Sequence, residues 1–301
     1  MLHQDHQGPY DVWLADEAPQ PETLRWCGLH GIRVPSRADE PLYHRRSWPR
    51  RTRCKEGNLA YFYDRWGYDL YDVVVQFDAD HVPESGYLDI VLRCFADPKV
   101  GYVAVPSICD VNADRSWSAR GRLYREATLH GPVQAGHNDG LAPTCIGSHY
   151  AVRTQALREV GGVGPELAED FSTSFIMNVC GWRGAFALDA VAHGDGPDTF
   201  ADAMVQELQW SRSLQVLLMR YCKPLWQDLP ARERRQFTFK VTPKGDGGAR
   251  DLPLLSIAPP PDPDGHGLAG HPGGPRPLAK PGGTTSCSSW RPSPTPSPPG
   301  P

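Results

Sequence analysis

The feature that most constrains the fold is an apolar run that ends directly on two aspartates. Residues Val73 to Phe77 (VVVQF) predict a buried strand, and Asp78-Ala79-Asp80-His81 follows as the chain leaves it. Carboxylates at i and i+2 suit a hard divalent cation, Mg²⁺ or Mn²⁺, which can in turn bind a diphosphate. An Asp-rich turn without a ligand explains the same residues equally well. The pair therefore predicts either a metal site formed by Asp78 and Asp80 or a surface turn.

Further short apolar runs alternate with helical patterns along the first 221 residues. Strands are predicted at Tyr10 to Ala15, Gly101 to Val105 and His149 to Val152. Helices are predicted at Gly86 to Phe95, Thr154 to Val160, Asp170 to Cys180 and Asp198 to about Tyr221. This alternation predicts an α/β domain, in which ligands bind at the carboxyl ends of the strands.

Composition excludes several classes of protein. Lys and Arg total 31 against 35 Asp and Glu, a net charge of −4, so no basic excess favours a nucleic-acid partner. The eight cysteines form no C-x-x-C pair, and no apolar run reaches membrane-spanning length, which predicts a reducing, cytoplasmic location for the chain as written. Of the 44 residues from 258 to 301, 14 are Pro and 8 are Gly, which predicts a disordered tail.

Two predicted helices carry candidate functional residues that also have plain structural explanations. Asp170 begins one helix, where an acid caps free amides and complements the helix dipole, so capping is the simpler explanation from position alone. Gln206 and Trp210 lie four apart and share one face of the longest helix. A large aromatic residue is also common on the buried face of an amphipathic helix.

Seven short motifs occur in an order that resembles the processive family 2 glycosyltransferases, such as bacterial cellulose synthases and the related hyaluronan and chitin synthases. They are Asp16-Glu17, Lys55-Glu56-Gly57-Asn58, the FDADHVP segment with Asp78 and Asp80, Cys145-Ile146-Gly147-Ser148, Ala168-Glu169-Asp170, Gln206-Glu207-Leu208-Gln209-Trp210, and Phe239-Lys240-Val241-Thr242-Pro243-Lys244. Their order over residues 16 to 244 carries the resemblance, since each motif alone is common.

The resemblance implies a GT-A fold, a mostly parallel sheet flanked by helices, and transfer of a sugar from a UDP-sugar to a β-glycan hydroxyl with inversion. On the donor side, it implies that Asp78 and Asp80 hold Mg²⁺ or Mn²⁺ and that Asp16 and Lys55 lie near the uridine. Thr242 and Lys244 would close over the diphosphate. These residues together form the implied donor site.

On the acceptor side, the resemblance makes Asp170 the general base. Gly147 and Ser148 would lie beneath the acceptor, and Gln206 and Trp210 would bind it, with the Trp ring stacked on a sugar. The family is associated with the inner membrane, so membrane association is also implied. The expected domains are a catalytic domain over residues 1–244 and a Pro/Gly-rich tail over 245–301.

The sequence also departs from the family pattern. It begins after the position of the family's first strand, it lacks the transmembrane helices that normally precede the last motif, Ala168 replaces a Thr, and Gln209 replaces an Arg. A truncated domain explains these differences. Two alternatives stay open: an inactive remnant that binds UDP weakly, and a metal-dependent nucleotide phosphohydrolase that uses the same aspartates.

Overall fold

A computed structural model describes residues 1–138 and 140–241, the last four as helix backbone. The predicted tail and two predicted site residues, Thr242 and Lys244, lie outside the described residues. The strands are β1 (Val73–Phe77), β2 (Val82–Pro83), β3 (Val100–Ala104), β4 (Ser107–Ile108), β5 (His149–Arg153), β6 (Arg183–Phe186) and β7 (Ala192–His193).

The main sheet has the order β1-β5-β3-β6. Strands β1, β3 and β6 run in one direction, and β5 runs against them between β1 and β3. The predicted mostly parallel arrangement therefore holds for strand direction, although only β3 and β6 form a parallel pair of neighbours. Because β5 is antiparallel, its first residue lies beside the last residue of β1, and Phe77 pairs with His149. This register places the turn before β5 next to the two aspartates.

A second, three-stranded sheet of the order β2-β7-β4 lies just beyond the carboxyl ends of β1 and β3. Strand β2 follows His81 directly, and β4 follows β3 after a break of two residues. Both strands pair with β7. The segment that follows Asp80 and His81 is therefore hydrogen-bonded to a neighbouring strand.

The helices are α1 (Pro21–Leu29), α2 (Lys55–Phe62), α3 (Tyr68–Leu70), α4 (Tyr87–Cys94), α5 (Trp117–Thr128), α6 (Thr154–Glu159), α7 (Glu169–Val179), α8 (Phe200–Leu217), α9 (Lys223–Leu225) and α10 (Ala231–Val241). The predicted helices correspond to α4, α6, α7 and α8. Helix α8 begins after Thr199, whose side chain accepts a hydrogen bond from the Asp202 amide, and it continues as a π-helical turn over Leu218–Cys222. None of the described helices combines the length and apolar character that crossing a bilayer requires.

Two sequence expectations need correction. Tyr10 to Ala15 is not a strand of the main sheet: it forms a single parallel bridge between Trp13 and Arg33, with α1 as the connection. Its apolar residues are only partly buried, which limits the packing that could extend the pairing. Residues 239–241, predicted to begin a gating loop, instead continue the backbone of α10.

The two faces of the main sheet pack against separate apolar clusters. On β5, Tyr150 and Val152 face a cluster that contains Phe175 and Ile176 of α7, whereas Ala151 faces a cluster with Val91 of α4. This alternation is the period of two expected of a strand covered on both sides. The sheet is thus held between helices, with the strand ends free to form a site.

Candidate active site

The predicted aspartates lie at the carboxyl end of β1, beside the turn that precedes β5. The backbone amide of Asp78 donates to the Ser148 carbonyl at 2.7 Å. In the same turn, the His149 amide donates to the Ile146 carbonyl at 3.2 Å, which closes the loop around Gly147. The predicted Gly147-Ser148 pair and the predicted Asp78 are therefore neighbours, as the register between β1 and β5 requires.

Lys55 joins three separate elements of this site. It is the first residue of α2, and its Nζ donates to Asp78 Oδ1 and to the Gly147 carbonyl, both at 2.6 Å. The same Nζ lies 3.6 Å from Glu169 Oε1 at the start of α7. Burial alone would lower the pKa of Lys55, but the carboxylates of Glu169 and Asp78 raise it above its ordinary value. Lys55 is therefore a permanent cation at the centre of the cluster.

Asp170 lies in the first turn of α7, with its carboxylate against Gly147. A Cβ at position 147 would be only 3.3 Å from Asp170 Oδ2, so glycine leaves room for that oxygen. Burial raises the pKa of Asp170, although the Phe171 amide and Lys55 act in the opposite direction. The raised pKa thus reflects burial, while the amide at the start of α7 favours the charged form as it would at a capping position.

Glu169 is a residue of this cluster that the sequence did not single out. It is 3% exposed, and its Oε1 accepts no hydrogen bond from any described residue. Burial raises the pKa of its carboxyl group, with Lys55 opposing the shift and Asp170 adding to it. The only sequence signal for Glu169 was its position next to Asp170 in the Ala168-Glu169-Asp170 motif. How deeply each of these two acids is buried depends on how α7 packs against the rest of the domain.

Asp80 is held by its own neighbour in the chain. His81 Nδ1 lies 2.8 Å from Asp80 Oδ1, and His81 Nε2 lies 3.1 Å from Ser107 Oγ on β4. The bond from His81 lowers the pKa of Asp80 and keeps the carboxylate ionised. His81 thus links one oxygen of Asp80 to Ser107 in the second sheet, which restrains the Asp80 carboxylate.

Asp78 and Asp80 suit a divalent cation whose remaining coordination positions are filled by a bound ligand. Asp78 and Asp80 have side chains that are 44% and 57% exposed, and each has one oxygen engaged, by Lys55 and by His81 respectively. Within residues 1–138 and 140–241, no group of three or more His, Cys, Asp or Glu is arranged to hold a metal. Mg²⁺ commonly uses one or two carboxylates together with substrate phosphates, which is the arrangement these two residues can offer.

Asp16, predicted to bind the uridine, is connected to this cluster through the backbone of its neighbour Ala15. Its Oδ1 accepts from the Ala18 amide at 2.9 Å, and the adjacent Ala15 carbonyl accepts from Asn58 of α2 at 2.8 Å. Asn58 lies one helical turn beyond Lys55. Its neighbour in the motif, Glu17, has a structural role, since it pairs with the fully buried Arg37.

Gln206 and Trp210 share one face of α8, as predicted, but their partner comes from α5. Arg122 Nη2 donates to Gln206 Oε1 at 2.8 Å, and the Arg122 guanidinium carbon lies 4.5 Å from the centre of the Trp210 ring. Trp210 is 41% exposed, so it is not simply a core residue. Sequence reasoning did not identify Arg122, because no motif contains it.

Comparison with known proteins finds a family and several relatives that match most of the chain. A family described as "Glycosyl transferase family group 2" matches residues 73–259. A cellulose synthase catalytic subunit (UDP-forming) of Xanthomonas axonopodis pv. citri is 25% identical over 212 residues, which are 69% of this chain and 27% of that protein. Cellulose synthase 1 of Komagataeibacter xylinus is 28% identical over 220 residues, 71% of this chain and 13% of that protein. The chain therefore spans about a quarter or less of the length of these relatives.

Solved structures of sugar transferases are also similar. A mannosyltransferase of Pyrobaculum calidifontis, in complex with GDP-Man and Mn²⁺, is 20% identical with a TM-score of 0.49, covering 70% of this chain and 55% of that chain. The family match covers more than half of the chain and includes β1, Asp78, Asp80, Asp170 and α8. The chain thus belongs to glycosyl transferase family group 2, and its described residues form a cellulose synthase-like glycosyltransferase domain with the α/β architecture that the sequence predicts.

Proposed function

We propose that this domain transfers a hexose from a UDP-sugar to a hydroxyl group of a β-glycan, with inversion at the anomeric carbon and with a divalent cation. The observation that carries the proposal is the position of Lys55, which brings Asp78, Gly147 and Glu169 within 3.6 Å of one ammonium group. Four elements that are distant in sequence meet there, at the carboxyl end of β1, where α/β sheets bind nucleotides.

On the donor side, Asp78 and Asp80 would hold Mg²⁺ or Mn²⁺ through their exposed oxygens. When bound, the cation neutralises the diphosphate leaving group. Lys55 keeps Asp78 in place by its 2.6 Å hydrogen bond, and His81 does the same for Asp80 at 2.8 Å. Asp16 would accept a hydrogen bond from the uridine, since the Ala15–Asn58 contact holds its segment against α2.

On the acceptor side, Asp170 would act as the general base. In a single displacement, the acceptor oxygen bonds to the anomeric carbon as the bond from that carbon to the diphosphate oxygen breaks, and the hydroxyl proton passes to the Asp170 carboxylate. A carboxylate whose pKa is raised by burial is a stronger base than an exposed one. Gly147 and Ser148 would form the floor beneath the acceptor. The resemblance also supports a role for Thr242 and Lys244 over the diphosphate.

Turnover of defined donors tests the proposal. The purified chain is incubated with UDP-glucose or UDP-N-acetylglucosamine, with and without cellohexaose, in Mn²⁺ or in EDTA. We expect UDP release that requires Mn²⁺ and increases with cellohexaose, and chromatography should show oligosaccharides longer by one or more residues.

The matched control is Asp69→Asn, a surface aspartate that pairs with Arg158 at 3.3 Å. It should behave like the wild type, whereas Asp78→Asn should lose Mn²⁺-dependent release. UDP binding by calorimetry without any turnover would identify an inactive remnant instead. Release of UMP rather than UDP would favour the phosphohydrolase.

A further inference from the structure

A second polar cluster lies between α5 and α8, apart from the cluster around Lys55. Arg122 is 6% exposed and combines three contacts: it donates to Gln206, stacks on Trp210, and lies 3.4 Å from Glu207 Oε1. A buried guanidinium on an indole face is a favourable cation–π arrangement. Arg122 therefore restrains both predicted acceptor residues at once.

The charges of this cluster are balanced, which excludes a simple anion site. Two arginines, Arg122 and Arg125, meet two carboxylates, Glu126 and Glu207, with Arg125 Nη2 at 2.5 Å and Arg122 Nη1 at 3.4 Å from the same Glu207 oxygen. A diphosphate would have to compete with both carboxylates for a guanidinium that is already buried. The cluster is thus suited to orient neutral groups, such as sugar hydroxyls and ring C–H bonds.

The cluster is connected to the proposed base through α8. Ser213 lies one helical turn after Trp210, and its Oγ accepts from the Ala168 amide at 2.9 Å. Ala168 directly precedes Glu169 and Asp170 in the chain, so this buried contact fixes α8 against the start of α7. Trp210 and the proposed base therefore lie on elements that this direct contact joins.

We propose that Arg122 is a positioning residue for the sugar acceptor, acting through Trp210 and Gln206. The inference rests on the proposed function, because it takes Trp210 as the surface on which the acceptor stacks. The Q-x-x-R-W pattern that the sequence resembles carries an Arg inside the helix, whereas this chain has Gln209 there. Arg122 supplies a guanidinium to the same motif from a neighbouring helix, and the Trp210 residue on which it stacks is still 41% exposed.

Acceptor affinity tests this inference separately from donor binding. Arg122→Lys keeps the positive charge but removes the planar guanidinium group, which stacks on the indole and can donate several hydrogen bonds at once. We expect the half-saturating concentration of cellohexaose to increase about fivefold to tenfold, and the UDP affinity in Mn²⁺ to keep its wild-type value. The matched control is Arg125→Lys, which alters the ion pair with Glu207 but leaves the contacts of Arg122 intact, and it should change acceptor affinity less than twofold.

A double-mutant cycle shows whether Arg122 acts through the indole. In a Trp210→Ala background, Arg122→Lys should have little further effect on cellohexaose binding, which calorimetry measures without turnover. Equal effects in both backgrounds, an unchanged acceptor affinity in Arg122→Lys, or a parallel loss of UDP affinity would each overturn the inference. Cellohexaose binding that depends on Arg122 in a chain without turnover would support it even though the proposed transfer reaction fails.

Discussion

The two polar clusters of this domain differ in how their charges are compensated. At the end of β1, one ammonium group, Lys55, faces the carboxylates of Asp78 and Glu169, with Asp170 alongside. Between α5 and α8, two guanidinium groups face two carboxylates. The first cluster has more negative than positive groups, and burial raises the pKa of Glu169 and Asp170. In the second cluster the two signs are equal in number.

This difference suits the first cluster to bind a metal or accept a proton, and the second to hold other side chains in position. Carboxylates without a balancing positive group can accept a proton or bind a cation. Such a group of acids is unfavourable when no ligand is bound and is typical of functional sites. A balanced network holds its side chains in one arrangement without attracting charged ligands. We therefore expect substitutions in the first cluster to change turnover and metal response, and substitutions in the second to change acceptor affinity.

The largest expected effect is that of Asp170→Asn. Removing a general base lowers turnover by about 10²- to 10⁴-fold. UDP affinity should stay near the wild-type value because Asn preserves the size and polarity of the side chain, and melting temperature should not fall because burial disfavours the charged form of Asp170. UDP release at saturating cellohexaose measures the loss.

The control for Asp170→Asn is Asp89→Asn, which also replaces an acid in the first turn of a helix, in this case α4. It should retain full turnover. Wild-type turnover in Asp170→Asn would leave this residue as a dipole-complementing acid and remove the distinction between the two clusters.

A smaller effect is expected for the metal response of Asp80→Ala. Loss of one of two carboxylate ligands should weaken UDP binding at least tenfold in Mn²⁺ and leave binding in EDTA unchanged, since the cation links the protein to the diphosphate. Calorimetry with UDP in both buffers gives the two affinities. Equal wild-type affinities in Mn²⁺ and EDTA would argue against a metal at Asp78 and Asp80.

The pH dependence of stability in Glu169→Gln tests the cost of burying this acid. Burial raises the pKa of Glu169, so the folded state binds this proton more tightly than the unfolded chain does, and folding loses stability as pH rises above the ordinary carboxyl pKa. Each unit of pKa difference corresponds to about 1.4 kcal/mol.

Glu169→Gln removes this penalty, so its melting temperature should gain on that of the wild type as pH increases from about 4 to neutrality. Thermal unfolding at several pH values checks the trend. A difference that is constant with pH would show that Glu169 carries no such strain.

The smallest expected effect is that of Ser213→Ala, which removes the contact between α8 and the start of α7. The buried Ala168 amide would lose its hydrogen-bond acceptor, which costs about 1–3 kcal/mol, a shift of a few degrees in melting temperature. Ser211→Ala on the same helix is the control and should change stability by less than about 0.5 kcal/mol. If acceptor affinity also falls in Ser213→Ala alone, the two clusters are mechanically connected.

Much of the fold could be predicted because local patterns and tertiary packing agree. The apolar run of β1 and the ends of α6 and α7 follow from hydrophobic periodicity and from the glycines that come after the two helices. The prediction at Tyr10 to Ala15 was wrong because an apolar run forms a strand only where a partner edge is available. Local propensity does not contain that information.

Sequence alone predicted the residues that are proposed for the donor site and their order, because aspartates after a buried strand and a glycine turn before the next one have recognisable local signatures. The tertiary structure alone decided which acids are buried, which oxygen faces Lys55, and that Arg122 reaches Trp210 from another helix. The physical reason is that desolvation and cross-element contacts depend on the docking of segments far apart in the chain. A motif can name a carboxylate, but only its neighbours in space set its charge and its role.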